Sequence, residues 1–269
     1  MLVDTHCHLD AAEFDADRDA VARAAAQSGV GLIVVPAVER ANFGAVASVC
    51  RDYVGCRAAY GIHPLFVDRA REEDLDVLRA TLQREPAVAV GEIGLDRFVA
   101  ERDDARQMAY FIAQLEIARD LDLPVLLHVR CAIDLVLATL RKIRVSGGIA
   151  HAFNGSRQQA DAFIKLGFKL GFGGTLTFPR ARRIRQLAAQ LPLPAIVLET
   201  DAPDMPPEWM PKSMPKVDAR NTPAQLPRIA TLLAELRGIT VEELTTATTA
   251  NALAAMPFLQ HPNPSRSAS

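Results

Sequence analysis

Short apolar runs of four to six residues alternate along this chain with amphipathic stretches of ten to twenty residues. Such alternation is typical of repeated βα units around a parallel sheet. Strands are predicted at residues 2–6, 31–36, 57–62, 87–92, 125–128, 148–151, 169–172 and 195–199. Eight strands with short connections favour a closed (β/α)8 barrel of the TIM type over an open sheet, so the predicted fold class is α/β.

Length and composition agree with one such barrel. The chain has 269 residues, of which 49% are hydrophobic, and a barrel of this type typically needs about 250 residues. We therefore predict a single domain at residues 1–256. The prolines and serines of residues 257–269 predict a poorly ordered tail. The proline-rich connection at 203–222 is long enough to cover one end of the barrel.

Charge and hydropathy narrow the possible partners and the compartment. A net charge of −2 argues against an electrostatic clamp on long duplex nucleic acid, which would need a strongly basic face. No apolar run approaches the roughly 18 residues of a membrane helix, so no membrane partner is expected. The four cysteines lack CxxC spacing and fit reduced thiols. We expect a cytoplasmic protein without a cleaved signal, because a histidine pair already lies at positions 6 and 8.

The titratable residues gather at one end of the predicted strands. His6 and His8 lie two residues apart, so on an extended chain their side chains leave the same face and can converge on one ion. Other predicted strands end at or are followed by His63, Glu92, His128, His151 and Asp201. In such barrels the carboxyl ends of the strands surround one mouth, where the reactive groups lie. Five of the six histidines fall there, which predicts a metal site; the sixth, His261, lies in the predicted tail.

Six motifs, in order, resemble those of the TatD family of metal-dependent hydrolases and deoxyribonucleases. They are DTHCH at 4–8, GIHP at 61–64, GEIGLD at 91–96, LHVR at 127–130, HAFNG at 151–155 and LETDAP at 198–203. The resemblance runs from residue 1 to about residue 256. The sequence DAPDMP at 201–206 is similar to the YjjV branch of that family.

The resemblance implies two divalent metal ions per subunit at the barrel mouth. One ion is expected on His6, His8 and Asp201, the other on His128 and His151, with Glu92 bridging both. Four imidazoles and two carboxylates suit Zn, Mn, Fe or Co, whereas an all-oxygen site would suit Mg or Ca. The family also works with Mg, so Zn, Mn, Mg, Fe and Co all stay open.

The expected chemistry is hydrolysis of a phosphodiester by a metal-activated hydroxide. Two divalent ions, two carboxylates and one hydroxide leave a net charge of +1, which favours an anionic phosphodiester over a neutral amide. The expected partner is therefore single-stranded DNA, a nucleic-acid end or a small phosphodiester. Asp201 would orient the hydroxide and receive its proton, beside the bridging Glu92. His63 would contact the substrate or donate a proton to the leaving oxygen; a buried, hydrogen-bonded histidine is the alternative.

Three further residues are candidates for contacts around the ions. Arg130, two residues after His128, can bind a phosphate oxygen bidentately or form a surface ion pair. Asn154 can contact the substrate or cap the following helix. Glu199 is expected to orient a ligand histidine. Because many of the eleven phenylalanines are needed for the core, no extended base-stacking surface is expected.

Two other classes of function stay open from the sequence. An amidohydrolase-like enzyme acting on an amide, lactone or ester would place similar ligands on the same strands. Against it, the fourth strand supplies Glu92 and not a lysine available for carboxylation. The third class is a metal-binding interaction protein without turnover, for which an intact ligand set at an open mouth has no evident use. The sequence identifies no protein partner.

Overall fold

A computed structural model describes residues 1–210 and 220–260 and shows a (β/α)8 barrel of the TIM type. The strands pair in sequence order, and every pair is parallel. They are β1 (Leu2–Asp4), β2 (Val30–Pro36), β3 (Cys56–Tyr60), β4 (Ala87–Asp96), β5 (Val125–Arg130), β6 (Gly148–Ala150), β7 (Phe168–Phe172) and β8 (Ile196–Leu198). The predicted fold class is confirmed.

Nine helices occur among the described residues, most of them on the outside of the barrel. They are α1 (Arg18–Gln27), α2 (Phe43–Asp52), α3 (Glu73–Arg84), α4 (Asp104–Asp120), α5 (Ile133–Lys142), α6 (Arg157–Lys165), α7 (Arg182–Gln190), α8 (Leu226–Arg237) and α9 (Val241–Ala255). Within the same part of the chain, no helix has both the length and the apolar character needed to cross a bilayer.

Backbone hydrogen bonds join the first and last strands at the mouth. Thr5 N donates to Leu198 O at 3.0 Å, and Asp201 N donates to His6 O at 2.8 Å. The segments that carry His6 and Asp201 are therefore held side by side, although 195 positions separate them in the sequence.

The opposite end of the barrel is closed by α9. Asn251, on this helix, donates to the carbonyls of Leu193 and Ile196, where β8 begins. The barrel interior and the end of α9 form one buried apolar cluster, which includes Val3, Val34, Val88, Ile149, Val197, Ala252, Met256 and Leu259. The amino ends of the strands are thereby sealed from water, and the site must lie at the carboxyl ends.

The chain stays packed beyond residue 256. Leu259 is fully buried, and its carbonyl accepts a hydrogen bond from Arg57 Nε at 2.7 Å. Residues 257–260 are thus ordered, contrary to the composition-based prediction of a tail from residue 257, because Leu259 fills the bottom of the barrel and Phe258 packs against the same cluster. Residues 261–269, including His261, lie outside the described residues, and the single-domain division stays a prediction.

Two strands continue further toward the mouth than their apolar runs predicted. β4 continues past Glu92 to Asp96, and β5 continues past His128 to Arg130, with Asp96 paired to Arg130. This extra pairing fixes the side chains that follow each predicted ligand. By contrast, β1 ends at Asp4, before His6.

Candidate metal centre

Glu92 lies at the centre of the mouth and is only 2% exposed. Its Oε2 atom is 3.2 Å from His6 Nε2 and 3.7 Å from His8 Nε2. Its Oε1 atom is 3.1 Å from His128 Nδ1 and 3.4 Å from His151 Nε2. The two oxygens of one carboxylate therefore face two separate pairs of imidazoles.

Asp201 joins the first of these pairs. Its Oδ1 atom lies 3.6 Å from His6 Nε2 and 3.8 Å from His8 Nε2, and the two Nε2 atoms are 3.2 Å apart. Asp201 has a φ of 56°, a left-handed conformation that turns the chain just after β8 and brings its side chain to the mouth. Four ligand atoms, with that of Glu92, converge on one region, as a cation requires.

His128 is oriented by a carboxylate outside the predicted ligand set. Its Nε2 atom lies 2.9 Å from Oδ2 of Asp96, which is fully buried. An ionised carboxylate accepts hydrogen bonds only, and each ring nitrogen lies beside one, Nε2 beside Asp96 and Nδ1 beside Glu92. Burial by itself lowers the pKa of His128, but the hydrogen bonds to these two carboxylates outweigh it and raise the pKa. An ion bound at Nδ1 would leave the ring hydrogen on Nε2, donated to Asp96. A metal-binding histidine has this arrangement, with its second nitrogen donating to a carboxylate.

Glu199 has the corresponding position beside His151. Its Oε1 atom lies 3.5 Å from His151 Nδ1 and accepts a hydrogen bond from Ala152 N at 2.5 Å. The space for this carboxylate depends on Gly171 of β7, where a Cβ atom would come within 2.1 Å of Glu199 Oε2. Packing against Glu199 thus requires a glycine at position 171, and His151 Nε2 is left facing Glu92.

His63 reaches the same carboxylate but has the opposite ring arrangement. Its Nε2 atom lies 3.6 Å from Glu92 Oε1, while its Nδ1 atom accepts a hydrogen bond from Leu65 N at 3.1 Å. Because Nδ1 accepts, the neutral ring carries its hydrogen on Nε2 and has no lone pair there for an ion. His63 therefore faces the centre as a hydrogen-bond donor.

Three groups of side chains could each hold a metal ion. Within a group, every residue offers one ligand atom, and these atoms all lie within 4.8 Å of one another. The groups are His6, His8 and Asp201; His6, Glu92 and His151; and His63, Glu92 and His128. The ring arrangement of His63 argues against it as a ligand in the third group. The other members comprise the six residues predicted from the sequence.

The electrostatics of the centre also suit a cation. Burial raises the pKa of Glu92, but His6, His63 and His151 outweigh this effect and bring the pKa well below its usual range. Burial lowers the pKa of His6 to about 3, so this ring is neutral and keeps a lone pair at neutral pH. Burial also raises the pKa of Asp201 to about 6.

His151 shows how strongly the mouth attracts positive charge. Burial by itself lowers the pKa of this ring, but the carboxylates of Asp201, Glu92 and Glu199 raise it to about 10. In the absence of other cations, the centre therefore binds a proton at His151. Metal ions compete with protons for such ligands, so the residues present fit a divalent ion.

A cavity of about 1010 Å³ opens above these side chains. Arg130 and Asn154 line it, as do Pro203, Asp204 and Met205 of the predicted cover. Residues 211–219 of that cover lie outside the described residues.

The predicted Arg130 and Asn154 lie on the rim of this cavity. The Arg183 guanidinium donates to Asn154 Oδ1 at 2.5 Å, so one arginine of the basic run at 180–185 reaches the rim. Ser156, not Asn154, caps α6, because its hydroxyl accepts a hydrogen bond from Gln159 N at 3.2 Å. The amide of Asn154 is therefore not occupied in capping that helix.

The sequence did not single out Phe98 and left Asp96 without a defined partner. Asp96 lies four residues after Glu92 in the motif GEIGLD, so its i+4 position on an extended strand was the available signal. Phe98 follows β4 at the mouth and carries no sequence signal of its own.

Comparison with known proteins gives a consistent result. Residues 3–256 match the model of the family described as TatD related DNase. The metal-dependent hydrolase YjjV of Escherichia coli K12 is 42% identical over 248 residues, covering 91% of this chain and 93% of YjjV. A protein of Danio rerio named as a deoxyribonuclease, tatdn3, is 32% identical over 265 residues, with coverage of 93% and 95%.

A solved structure agrees as well. The crystal structure of the E. coli YjjV TatD homologue superposes with a TM-score of 0.89 at 40% identity, covering 95% of this chain and 98% of that one. The barrel, the converging ligand atoms and these similarities together show that the chain belongs to the TatD family and is a metal-dependent hydrolase of that type.

Proposed function

We propose that this enzyme hydrolyses phosphodiester bonds, with single-stranded DNA or nucleic-acid ends as its substrate. Two divalent ions per subunit would be held by His6, His8 and Asp201 on one side, by His128 and His151 on the other, and by Glu92 between them. The observation that carries the proposal is the position of Glu92, whose two oxygens face two separate imidazole pairs. Among the relatives, tatdn3 of Danio rerio is named as a deoxyribonuclease.

Divalent cations in such a centre supply Lewis acidity and lower the pKa of water toward neutrality. Asp201 lies beside the first imidazole pair at the edge of the cavity, where it would orient the attacking water and receive its proton. His63 would donate a hydrogen bond from Nε2 to the leaving oxygen, because Leu65 N holds its other nitrogen as an acceptor.

Guanidinium groups on the rim favour an anionic substrate. Arg130 lines the cavity two residues beyond His128, and its planar fork matches two oxygens of a phosphate. Arg183 holds the side chain of Asn154, which would donate to a further phosphate oxygen. We also propose a cytoplasmic location, which the free cysteines support, since reduced thiols are typical of that compartment.

The proposal can be tested with metal-replete protein on three substrates: a labelled single-stranded oligonucleotide, a bis-aryl phosphodiester, and a panel of amides and lactones. Cleavage of the first two at a metal content near two ions per chain is the expected result. Cleavage of amides or lactones alone would overturn the proposal in favour of an amidohydrolase.

Variants separate the proposed roles from the binding of metal. Asp201→Asn is expected to lower kcat at least 100-fold, since a general base typically contributes 10²–10⁴-fold. His63→Gln, which misplaces a hydrogen-bond donor, is expected to lower kcat about 10- to 100-fold with both ions retained, less than the roughly 10²–10³-fold cost of removing such a donor outright. Val54→Ala, at a 90% exposed position, is the matched control and should leave both readouts unchanged. Full activity of His63→Gln would show that His63 is a buried, hydrogen-bonded histidine without a role in turnover.

A further inference from the structure

Phe98 is an apolar ring exposed to solvent at the mouth of a polar site. It follows β4 and is 62% exposed, and among the described residues it is the only aromatic side chain that is mostly exposed. The other ten phenylalanines are buried or partly buried. A ring in this position contributes little to the hydrophobic core, so its role is not explained by packing.

The ring of Phe98 is stacked against Arg130. The Arg130 Cζ atom lies 3.7 Å from the ring centroid, a close cation–π contact. This contact places the guanidinium carbon over the ring, and Arg130 also lines the cavity above the centre. The two side chains therefore form one composite surface, part apolar and part cationic.

The stack is held in a fixed relation to the metal centre. Phe98 N donates to Asp96 Oδ1 at 2.9 Å, and the other oxygen of Asp96 lies 2.9 Å from His128 Nε2. Arg97 N donates to Arg130 O at 2.9 Å, so the backbones on both sides of the stack are paired. One buried carboxylate thus links Phe98 to a histidine of the centre.

Neighbouring residues continue this mixed apolar and cationic surface along one side of the mouth. After β3, Leu65 is 44% exposed and lines the cavity together with Phe66. Arg69 lies 5.2 Å from the Phe66 ring centroid, which makes a second pairing of arginine with an aromatic ring.

The adjoining side of the mouth has a different composition. Near β1 and β2 the cavity is lined by the carboxylates of Asp10, Glu13 and Glu39, of which Glu39 Oε1 lies 3.8 Å from Arg69 Nη1. An anionic chain would be repelled there and would instead lie over the side formed by β3, β4 and β5.

We propose that the Phe98–Arg130 stack is a nucleotide-recognition element, in which the guanidinium edge binds a phosphate oxygen and the Phe98 ring stacks on the base attached to that phosphate. The inference rests on the proposed phosphodiesterase function and makes it specific, because it requires a planar base and not merely a phosphodiester. Stacking of this kind tolerates any base, since every base has a π-face. It therefore selects single-stranded nucleic acid over non-nucleotide diesters without reading sequence.

The experiment compares two polymers of equal length and charge, oligothymidylate and an abasic oligomer in which hydrogen replaces every thymine. Wild-type holoenzyme should cleave the abasic oligomer with a KM about tenfold higher, equivalent to ~1.4 kcal/mol. Phe98→Ala should raise KM for oligothymidylate by about the same factor and leave KM for the abasic oligomer little changed. Phe98→Leu, which keeps apolar bulk without a π-face, should resemble Phe98→Ala.

Phe98 itself lies beside Arg130 and outside the lining of the cavity. Val54→Ala, which removes exposed apolar surface before β3 at the opposite end of the barrel, is the control and should not change either KM. Metal content and melting temperature, measured for each variant, show that the fold and the centre are intact. Equal KM values of the wild type for the two polymers, or an equal loss on both in Phe98→Ala, would overturn the inference while leaving the phosphodiesterase function standing. If wild-type enzyme cleaves neither polymer, the proposed function itself fails, and the inference fails with it.

Discussion

Gly171 shows how a single position without a side chain makes room for a carboxylate of the candidate metal centre. A Cβ atom there would lie 2.1 Å from Glu199 Oε2, and Glu199 in turn lies beside Nδ1 of His151. Glu199 is 1% exposed and surrounded by packed atoms, so the buried carboxylate has little freedom to move elsewhere. The glycine therefore acts on the histidine through the carboxylate.

Gly171→Ala is expected to displace Glu199 and to weaken metal binding at His151 by about 10- to 100-fold, the usual effect of losing a carboxylate that orients a ligand histidine. Metal titration of the purified variant measures this change. Gly44→Ala is the matched control, because a Cβ atom at Gly44 would meet no atom of the described residues within 4 Å. Equal metal affinity in both variants would show that Glu199 does not orient His151.

Among the elements, β4 carries residues of the candidate site at one end of the barrel, and α9 closes the other end. β4 is buried along its whole length and carries both Glu92 and Asp96 to the mouth. α9 begins with a capping box in which Thr240 accepts a hydrogen bond from Glu243 N, and its far end joins the apolar cluster inside the barrel. The chemistry and much of the stability are thus located in different elements.

Leu259→Ala tests the contribution of the segment after α9. The side chain is fully buried, so its removal should lower the free energy of unfolding by about 2–5 kcal/mol. Chemical denaturation measures this loss, and metal content should not change, because the cavity is at the other end. Val54→Ala should stay within about 0.5 kcal/mol of the wild type. A loss of that small size for Leu259→Ala would mean that residues 257–260 do not stabilise the barrel.

For the whole molecule, we expect folding and metal binding to be coupled, because the six proposed ligands come from five different βα units. The unfolded chain cannot present them together, so an ion binds the native state preferentially and stabilises it. The net charge of the chain is only −2, so attraction of an anionic substrate depends on the cationic groups at the mouth and not on the charge of the whole molecule.

Removing metal with a chelator should lower the melting temperature, and adding Zn²⁺ or Mn²⁺ back should restore it. At a free ion concentration 100-fold above Kd the gain is about 2.7 kcal/mol, or roughly 5–10 °C for a chain of this size. Scanning calorimetry checks the shift. Glu92→Gln, which removes charge from the shared ligand, should lose most of the increase in melting temperature that metal causes. An undiminished shift in that variant would place the stabilising ion elsewhere.

Binding of a single strand should depend only moderately on salt. If Arg130 and Arg183 each contact one phosphate, the logarithm of the binding constant should fall with the logarithm of salt concentration with a slope of about −1.4. Fluorescence anisotropy with a labelled oligonucleotide measures this slope. Arg130→Ala should reduce its magnitude by about 0.7, whereas Arg141→Gln, at the exposed carboxyl end of α5, should not. A slope unchanged in Arg130→Ala would remove that residue from phosphate binding.

The sequence by itself determined the barrel and the set of residues at its mouth. Apolar runs recur at βα spacing, and parallel connectivity forces all strand carboxyl ends to one side, so His6, Glu92 and Asp201 could be placed together without coordinates. Strand limits were less well defined, because pairing continues through polar residues such as Asp96 that an apolar pattern does not mark.

Only the tertiary structure decided what each side chain touches. Which ring nitrogen of His63 faces the centre depends on the amide of Leu65, and which nitrogen of His128 does so depends on Asp96. The stack of Phe98 on Arg130 joins residues 32 positions apart through the register of β4 and β5. These contacts are set by packing and hydrogen bonding between distant segments, whereas periodicity along a chain reports only which face of its own strand or helix a residue occupies.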